Sequence, residues 1–183
     1  MSGPFILPWQ GIMPRIAADA FIAPNATVIG DVEIGSRSSI WFGVVVRGDV
    51  APIRVGARTN LQDNTVVHVA SAAVVGTAIP TIIGDDVLVG HSAILHACTV
   101  ENGAFIGMAS KVLDKAVIES GAMVAACAMV GPGKRVPRGE LWSGTPARLM
   151  RKLTEEEIAG FSRGTDHYAE LGAAYRKQIA GKS

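Results

Sequence analysis

The chain has 183 residues, with 17 basic and 16 acidic side chains, so its formal net charge at pH 7 is only +1. This balance argues against binding of nucleic acid through bulk charge, and a chain of this length can bury a core without disulfides or other staples. The apolar fraction is 49%, yet aromatic residues make up only 5%, and 21 residues are glycine. Small aliphatic side chains therefore replace large ones in the predicted core.

The start of the chain and its two cysteines bear on its location. Residues 1–14 lack the basic and then apolar pattern of a secretory signal. The longest apolar stretch, around residues 120–133, is broken by glycines and is shorter than the roughly 18–20 residues of a membrane span. Cys98 and Cys127 have no C-x-x-C spacing, and we predict that both are buried. We expect a cytoplasmic protein without a membrane or nucleic-acid partner.

Branched aliphatic residues recur every six positions through the middle of the chain. This period fits neither an α-helix nor an alternating strand, and an ordinary β-sandwich would show turns every 8 to 12 residues or so. It is typical of a hexapeptide β-helix, in which three units form a triangular coil of about 18 residues. The predicted inward residues are Ile22, Val28, Ile34, Ile40, Val46, Val55, Leu61, Val67, Ile83, Val89, Val100, Ile106, Val112, Ile118, Val124 and Val130.

In chain order the sequence predicts four segments. They are an N-terminal segment (1–21), the β-helix (22–137, with a loop at about 69–81), a turn-rich connector (138–153) and a C-terminal helical region (154–181).

The C-terminal region carries two helix signals. Thr154 and Glu157 have the spacing of a capping box. An apolar helix face is predicted to pack along a prism, either its own or a neighbour's, and it consists of Tyr168, Leu171, Tyr175 and Ile179.

Three of the four histidines fall within 29 residues. His68 directly follows the inward Val67, and His96 directly follows the inward Leu95, so both take the same outward position of the repeat. They are more than one coil apart in sequence. If residues 69–81 bulge out as a loop, the two imidazoles stack on adjacent coils and can share an ion.

His91 lies two places after Val89 and therefore on the preceding face, across a corner of the triangle. Within its own prism it cannot easily reach the ion, but in a side-by-side trimer it could meet His68 and His96 of a neighbour. Three imidazoles that leave one open position are the ligand set of a catalytic zinc, which lowers the pKa of a bound water to about 7.

Three motifs together resemble the signature of the gamma-class carbonic anhydrase family of hexapeptide-repeat proteins. They are Arg47-Gly48-Asp49, Asn60-Leu61-Gln62-Asp63 and Gly90-His91-x4-His96. The resemblance extends from about residue 21 to residue 175. It implies a left-handed parallel β-helix, a homotrimer with zinc, or alternatively iron or cobalt, at each subunit interface, and interconversion of carbon dioxide and bicarbonate.

The resemblance also implies roles for single residues. His68, His91 and His96 are similar to the family's metal ligands. Gln62 is similar to the residue that hydrogen-bonds the metal-bound water or the bicarbonate, a task that suits a neutral amide.

Other site residues follow from the same resemblance. Arg47 and Asp63 resemble two family residues that form an ion pair between neighbouring subunits. Asp49 and Asn60 resemble the polar residues that support this ion pair. Tyr168 is similar to a tyrosine that approaches the active site, with core packing as the alternative.

The chain departs from the family pattern where protons are transferred. Active members carry a glutamate directly after the residue that matches Asp49 and another in an acidic loop, whereas here Val50 takes the first position and residues 69–81 contain no acid. Because each turnover must return a proton to solvent, we expect slow hydration. His167 is either an alternative proton carrier or an ordinary surface residue.

Two other classes of function stay open. Many hexapeptide-repeat proteins are CoA-dependent acyltransferases with a single catalytic histidine, and a metal-dependent acyl-CoA thioesterase is a related possibility. A non-catalytic trimeric scaffold with a structural metal is the third alternative.

Overall fold

The computed structural model describes residues 3–181. Residues 1 and 2, which begin the predicted N-terminal segment, lie outside the described residues. The strands are β1 (Phe5–Leu7), β2 (Arg15–Ile16), β3 (Phe21–Ile22), β4 (Thr27–Ile34), β5 (Ser39–Ile40), β6 (Val45–Val55), β7 (Asn60–Leu61), β8 (Val66–His68), β9 (Thr81–Ile83), β10 (Leu88–Val89), β11 (Ile94–His96), β12 (Thr99–Val100), β13 (Phe105–Ile106), β14 (Lys111–Val112), β15 (Val117–Ile118), β16 (Met123–Val124), β17 (Met129–Val130), β18 (Arg135–Val136), β19 (Glu140–Gly144) and β20 (Ala147–Lys152). The helices are α1 (Ala72–Val75) and α2 (Glu155–Ala180).

The strands form three faces of a parallel β-helix, which confirms the predicted fold. The first face contains β1, β8, β11, β14, β17 and the first halves of β4 and β6. The second face contains β3, β5, β7, β10, β13, β16 and the antiparallel hairpin of β19 and β20. The third face contains β2, β9, β12, β15, β18 and the second halves of β4 and β6, which turn the corner from the first face.

Each coil contributes one inward aliphatic side chain to every face. Paired strands lie about 4.8 Å apart, so each inward side chain packs directly against its counterparts in the neighbouring coils. Buried alanines such as Ala93, Ala104 and Ala116 occupy the narrow corners. The inward ladder of the first face, with each residue at most 1% exposed, is Val28, Val46, Val67, Leu95, Val112 and Val130.

Helix α2 covers the second face of its own prism. The predicted capping box is present: Thr154 Oγ1 accepts a hydrogen bond from the Glu157 N–H, and Glu157 Oε2 accepts one from the Thr154 N–H. At Gly172 a Cβ would lie 3.1 Å from the Cβ of Phe21, so glycine permits the close approach of the helix. The predicted apolar residues Tyr168, Leu171, Tyr175 and Ile179 pack against the core.

Three regions differ from what the sequence pattern suggested. The N-terminal segment already adds β1 and β2 to the stack. The connector holds the β19–β20 hairpin, because Leu141 and Trp142 continue the second face by pairing with β16. The loop between β8 and β9 contains the short helix α1, at whose start the Ser71 hydroxyl accepts a hydrogen bond from the N–H of Ala73.

The prediction that both cysteines are buried is wrong for Cys127. Cys98 is buried, and burial raises the pKa of its thiol to about 12. Cys127 is exposed because it lies in the turn between β16 and β17, outside the inward positions of the strands. Among the described residues, neither helix is long and apolar enough to cross a membrane.

Truncation of a core leucine should destabilise the coil far more than truncation of an exposed one. Leu95 is 0% exposed and Leu149 is 51% exposed. We expect Leu95→Ala to lower the free energy of unfolding by about 2–5 kcal/mol, because it leaves a cavity between coils. The matched control Leu149→Ala should change it by less than about 0.5 kcal/mol. Urea midpoints at equal protein concentration test both values, and equal effects would contradict the packing described.

Candidate metal centre

The paired strands β8 and β11 place His68 directly beside His96, as the repeat positions predict. Residues 69–80 leave the coil, and an antiparallel bridge between Ala70 and Ile79 closes the base of the loop. Nδ1 of His68 lies 3.3 Å from Nε2 of His96. Two nitrogens bound to one tetrahedral zinc lie about 3.3–3.4 Å apart. The pair therefore already has the spacing of two ligands of one ion.

A bulge in β6 brings Asp49 to this pair. The pairing of β4 with β6 advances from Gly30–Gly48 to Val32–Ile53, so β6 has additional residues at this corner. Such bulges redirect side chains next to functional sites. Gly30 has φ 78°, and a Cβ on it would lie 2.4 Å from the carbonyl oxygen of Gly48. The corner therefore requires glycine.

The carboxylate of Asp49 contacts both the guanidinium of Arg47 and the imidazole of His68. Its Oδ1 lies 3.0 Å from Nε2 of His68, and its Oδ2 accepts a hydrogen bond from Arg47. Burial acts to raise the pKa of Asp49, but the hydrogen bonds with His68 and Arg47 outweigh burial and lower it. Burial lowers the pKa of His68 and, together with the charge of Arg47, outweighs the hydrogen bond with Asp49, which acts to raise it. A lowered pKa favours the neutral imidazole that a metal requires.

Asp114 is a site residue that the sequence reasoning missed. Its Oδ1 lies 2.6 Å from Nδ1 of His96. It follows His96 by 18 residues, but Leu95 pairs with Val112, so the coil advances by only 17 residues here. The repeat position alone would therefore place Leu113, and not Asp114, beside His96. We call Arg47, Asp49, His68, His96 and Asp114 the His68 half-site.

A second group lies at the far edge of the first face, where β7 and β10 of the second face end. Nε2 of Gln62 donates a hydrogen bond to Oδ1 of Asn60 at 3.1 Å, and both residues are buried. Oδ2 of Asp63 lies 2.8 Å from Nδ1 of His91, which leaves Nε2 of His91 free of this contact. We call Asn60, Gln62, Asp63 and His91 the His91 half-site.

The two half-sites do not meet within one chain. Residues 93–96 join the two edges, and at about 3.3 Å per residue they separate them by about 10 Å. Within residues 3–181, no three His, Cys, Asp or Glu side chains form a group that could hold a metal. Arg47 and Asp63 are likewise apart, since Arg47 pairs with Asp49 and Asp63 with His91.

A cavity of about 280 Å³ opens beside the imidazoles of His68 and His96. The loop between β8 and β9 forms one wall with Val69, Ala70, Val74 and Val75, and Val50 adds a further apolar side chain. The surroundings of the two imidazoles are thus mainly apolar on the loop side.

Tyr168 packs in an aromatic cluster. Its ring centroid lies 5.5 Å from that of Trp41 in an edge-to-face arrangement. Burial raises the pKa of Tyr168, and the nearby charge of Asp63 raises it further. Tyr168 therefore lies within electrostatic reach of the His91 half-site, while His167 is exposed on α2.

Comparison with known proteins identifies the family of this chain. A family model described as bacterial transferase hexapeptide (six repeats) matches residues 13–48. "Gamma carbonic anhydrase 2, mitochondrial" of Arabidopsis thaliana is 52% identical over 165 residues, which are 90% of this chain but only 59% of that protein. A carbonic anhydrase of Geobacillus kaustophilus is 46% identical over 171 residues, which cover 93% of this chain and 91% of that protein. The chain belongs to the gamma carbonic anhydrase family.

Membership of the gamma carbonic anhydrase family confirms the resemblance seen in the three motifs. A solved structure supports the fold: the crystal structure of a hexapeptide transferase family protein from Anaplasma phagocytophilum is 48% identical, with a TM-score of 0.87. The alignment covers 93% of this chain and 98% of that one.

Proposed function

We propose that this chain is a metal-dependent carbonic anhydrase that hydrates carbon dioxide reversibly to bicarbonate at the interfaces of a homotrimer. The observation that carries the proposal is the division of the site: His68 and His96 lie at one edge of the first face, and His91 lies at the other. A neighbouring copy that contributes its opposite edge would complete a set of three imidazoles.

The outward residues of the first face support self-association. They form one ladder across seven strands in which five residues are apolar: Phe5, Thr27, Val45, Val66, Ile94, Lys111 and Met129. Phe5 and Val66 are 53% and 38% exposed. Exposed apolar ladders of this length are typical of protein interfaces.

The other two faces are poor candidates for the subunit contact. Helix α2 lies on the second face, where it packs on β3, β5, β7 and β10. The third face begins with the ion pairs of Arg15 and Arg54 to Glu33. The first face thus combines apolar character with exposure, and both half-sites lie at its edges.

The donor set fits zinc, with iron or cobalt as alternatives. Neutral imidazole suits all three of these ions, and the spacing of His68 and His96 matches a tetrahedral ion. When bound, such an ion supplies Lewis acidity and lowers the pKa of water to about 7, a general figure for zinc enzymes.

The chain's own polar residues would position the reactants. Asn60 accepts a hydrogen bond from the Gln62 amide and so fixes its rotamer, which leaves the Gln62 carbonyl oxygen to orient a water or bicarbonate beside His91. Asp63 would orient the His91 ring through its contact with Nδ1. In a trimer, Arg47 of one subunit could also reach Asp63 of the next and fix the register of the two half-sites.

Slow turnover is part of the proposal. Hydration releases a proton that a carboxylate or imidazole normally relays to solvent. The loop wall of the cavity and Val50 supply apolar side chains and the hydroxyl of Ser71, but no carboxylate or imidazole. Three further points also stay predictions: that Tyr168 approaches the active site, that the metal is zinc, and that the protein is cytoplasmic.

Acyl transfer remains a second candidate, with thioester hydrolysis as its variant. Saturable binding of acetyl-CoA in calorimetry would favour it. Stoichiometric metal without hydration in stopped flow would favour the non-catalytic scaffold.

A mixture of two inactive variants should recover activity if the site is shared. His91→Ala subunits keep the His68 half-site, and His96→Ala subunits keep the His91 half-site. In randomly mixed trimers about one quarter of the interfaces join two intact half-sites. We therefore expect co-expression to restore about one quarter of wild-type hydration and metal content.

The matched control is co-expression of His68→Ala with His96→Ala, which damage the same half-site and should restore nothing. Recovery in the control, or none in the first mixture, would contradict a shared site.

A carboxylate placed at Val50 should accelerate hydration. Val50 is exposed and lines the cavity, so glutamate can be accommodated there. If proton transfer limits turnover, wild-type rates should rise with the concentration of an imidazole buffer. Val50→Glu should raise kcat at least about tenfold in dilute buffer and weaken the buffer dependence. Leu149→Glu, on the remote hairpin, serves as the control, and equal rates for all three proteins would contradict proton transfer as the limiting step.

A further inference from the structure

Asp114 is the one carboxylate among the described residues that line the cavity beside His68 and His96. Its Oδ1 lies 2.6 Å from Nδ1 of His96, the shortest of the three imidazole–carboxylate contacts in the two half-sites. Both side chains are about one-third exposed, so the contact is partly shielded from solvent.

The corner that carries Asp114 has a different length from the corner below it. Leu95 pairs with Val112, and Val100 pairs with Ile118. The lower corner therefore spans residues 96–99, whereas the upper one spans residues 113–117 and holds one residue more. The extra residue offsets the upper corner, which brings the carboxylate of Asp114 over the ring of His96.

Backbone hydrogen bonds hold this corner in place. The N–H of Lys115 donates to the carbonyl of Ala97 at 2.7 Å, and the N–H of Gly133 donates to the carbonyl of Asp114 at 2.8 Å. Asp114 is thus anchored to the coils on both sides. Its carboxylate approaches His96 from a fixed backbone and not from a mobile loop.

The contact selects one tautomer of His96. A neutral imidazole carries one N–H, and a carboxylate at Nδ1 accepts a hydrogen bond from that nitrogen. The lone pair is then left on Nε2, which is the nitrogen that lies 3.3 Å from Nδ1 of His68. Carboxylates that accept from ligand histidines fix the ring and raise its basicity toward the metal.

We infer that Asp114 is a positioning residue that presents Nε2 of His96 to the metal, an inference that rests on the proposed function. It acts through His96 and does not itself bind the ion.

Metal affinity measured apart from activity tests this role. Apoprotein of wild type, Asp114→Ala and Asp114→Asn is titrated with Co²⁺ and with Zn²⁺ against a chromophoric chelator. Asp114→Ala should bind about 10–100-fold more weakly and change the visible absorption bands of Co²⁺, because His96 loses its orientation. Asp114→Asn keeps an oxygen that accepts from Nδ1, so it should recover much of the loss.

Asp86→Ala is the matched control, because Asp86 makes an ion pair with Arg58 away from both half-sites. It should bind metal like the wild type.

If wild-type protein binds metal and both Asp114 variants match it within about twofold in affinity and in Co²⁺ spectrum, the inference is overturned. If wild-type protein binds no metal, the proposed function fails instead. Should Asp114→Ala fail to fold, Asp114→Leu, which has a side chain of similar length without an acceptor for Nδ1, replaces it with the same expected loss of affinity.

Discussion

Parallel, in-register stacking of the coils is the constraint on which the rest of the structure depends. Inward aliphatic side chains such as Val67 and Leu95 pack on their counterparts one coil away, so a residue's place in its six-residue unit fixes its direction. Sequence separation then says little about distance. His68 and His96 are neighbours although 28 residues apart, whereas His91 and His96 lie on different edges although only five positions apart.

The same constraint divides the molecule into three surfaces with different environments. The second face is covered by α2, the third begins with charged residues, and the first exposes a mainly apolar ladder. Because both half-sites lie at the edges of the first face, the proposed metal site would require assembly of subunits. Within one chain His68 and His96 lie together, and His91 lies apart from them.

Much of the fold and part of the site could be predicted from the sequence, because the repeat reports inward positions directly. The period of six predicted the β-helix, and the place of His68 and His96 after inward aliphatics predicted their stacking. Asp114 was missed because its approach to His96 depends on one extra residue in a corner. The pairing of Asp63 with His91 was missed because the resemblance assigned Asp63 to another partner, and only the structure shows the contact within one chain.

Anomalous diffraction at the zinc edge from crystals of the zinc-loaded protein tests the central claim most directly. The account predicts one ion at each interface of a trimer, about 2.0–2.1 Å from nitrogens of His68 and His96 of one subunit and His91 of its neighbour. An ion held entirely within one chain, or interfaces without bound zinc, would contradict it.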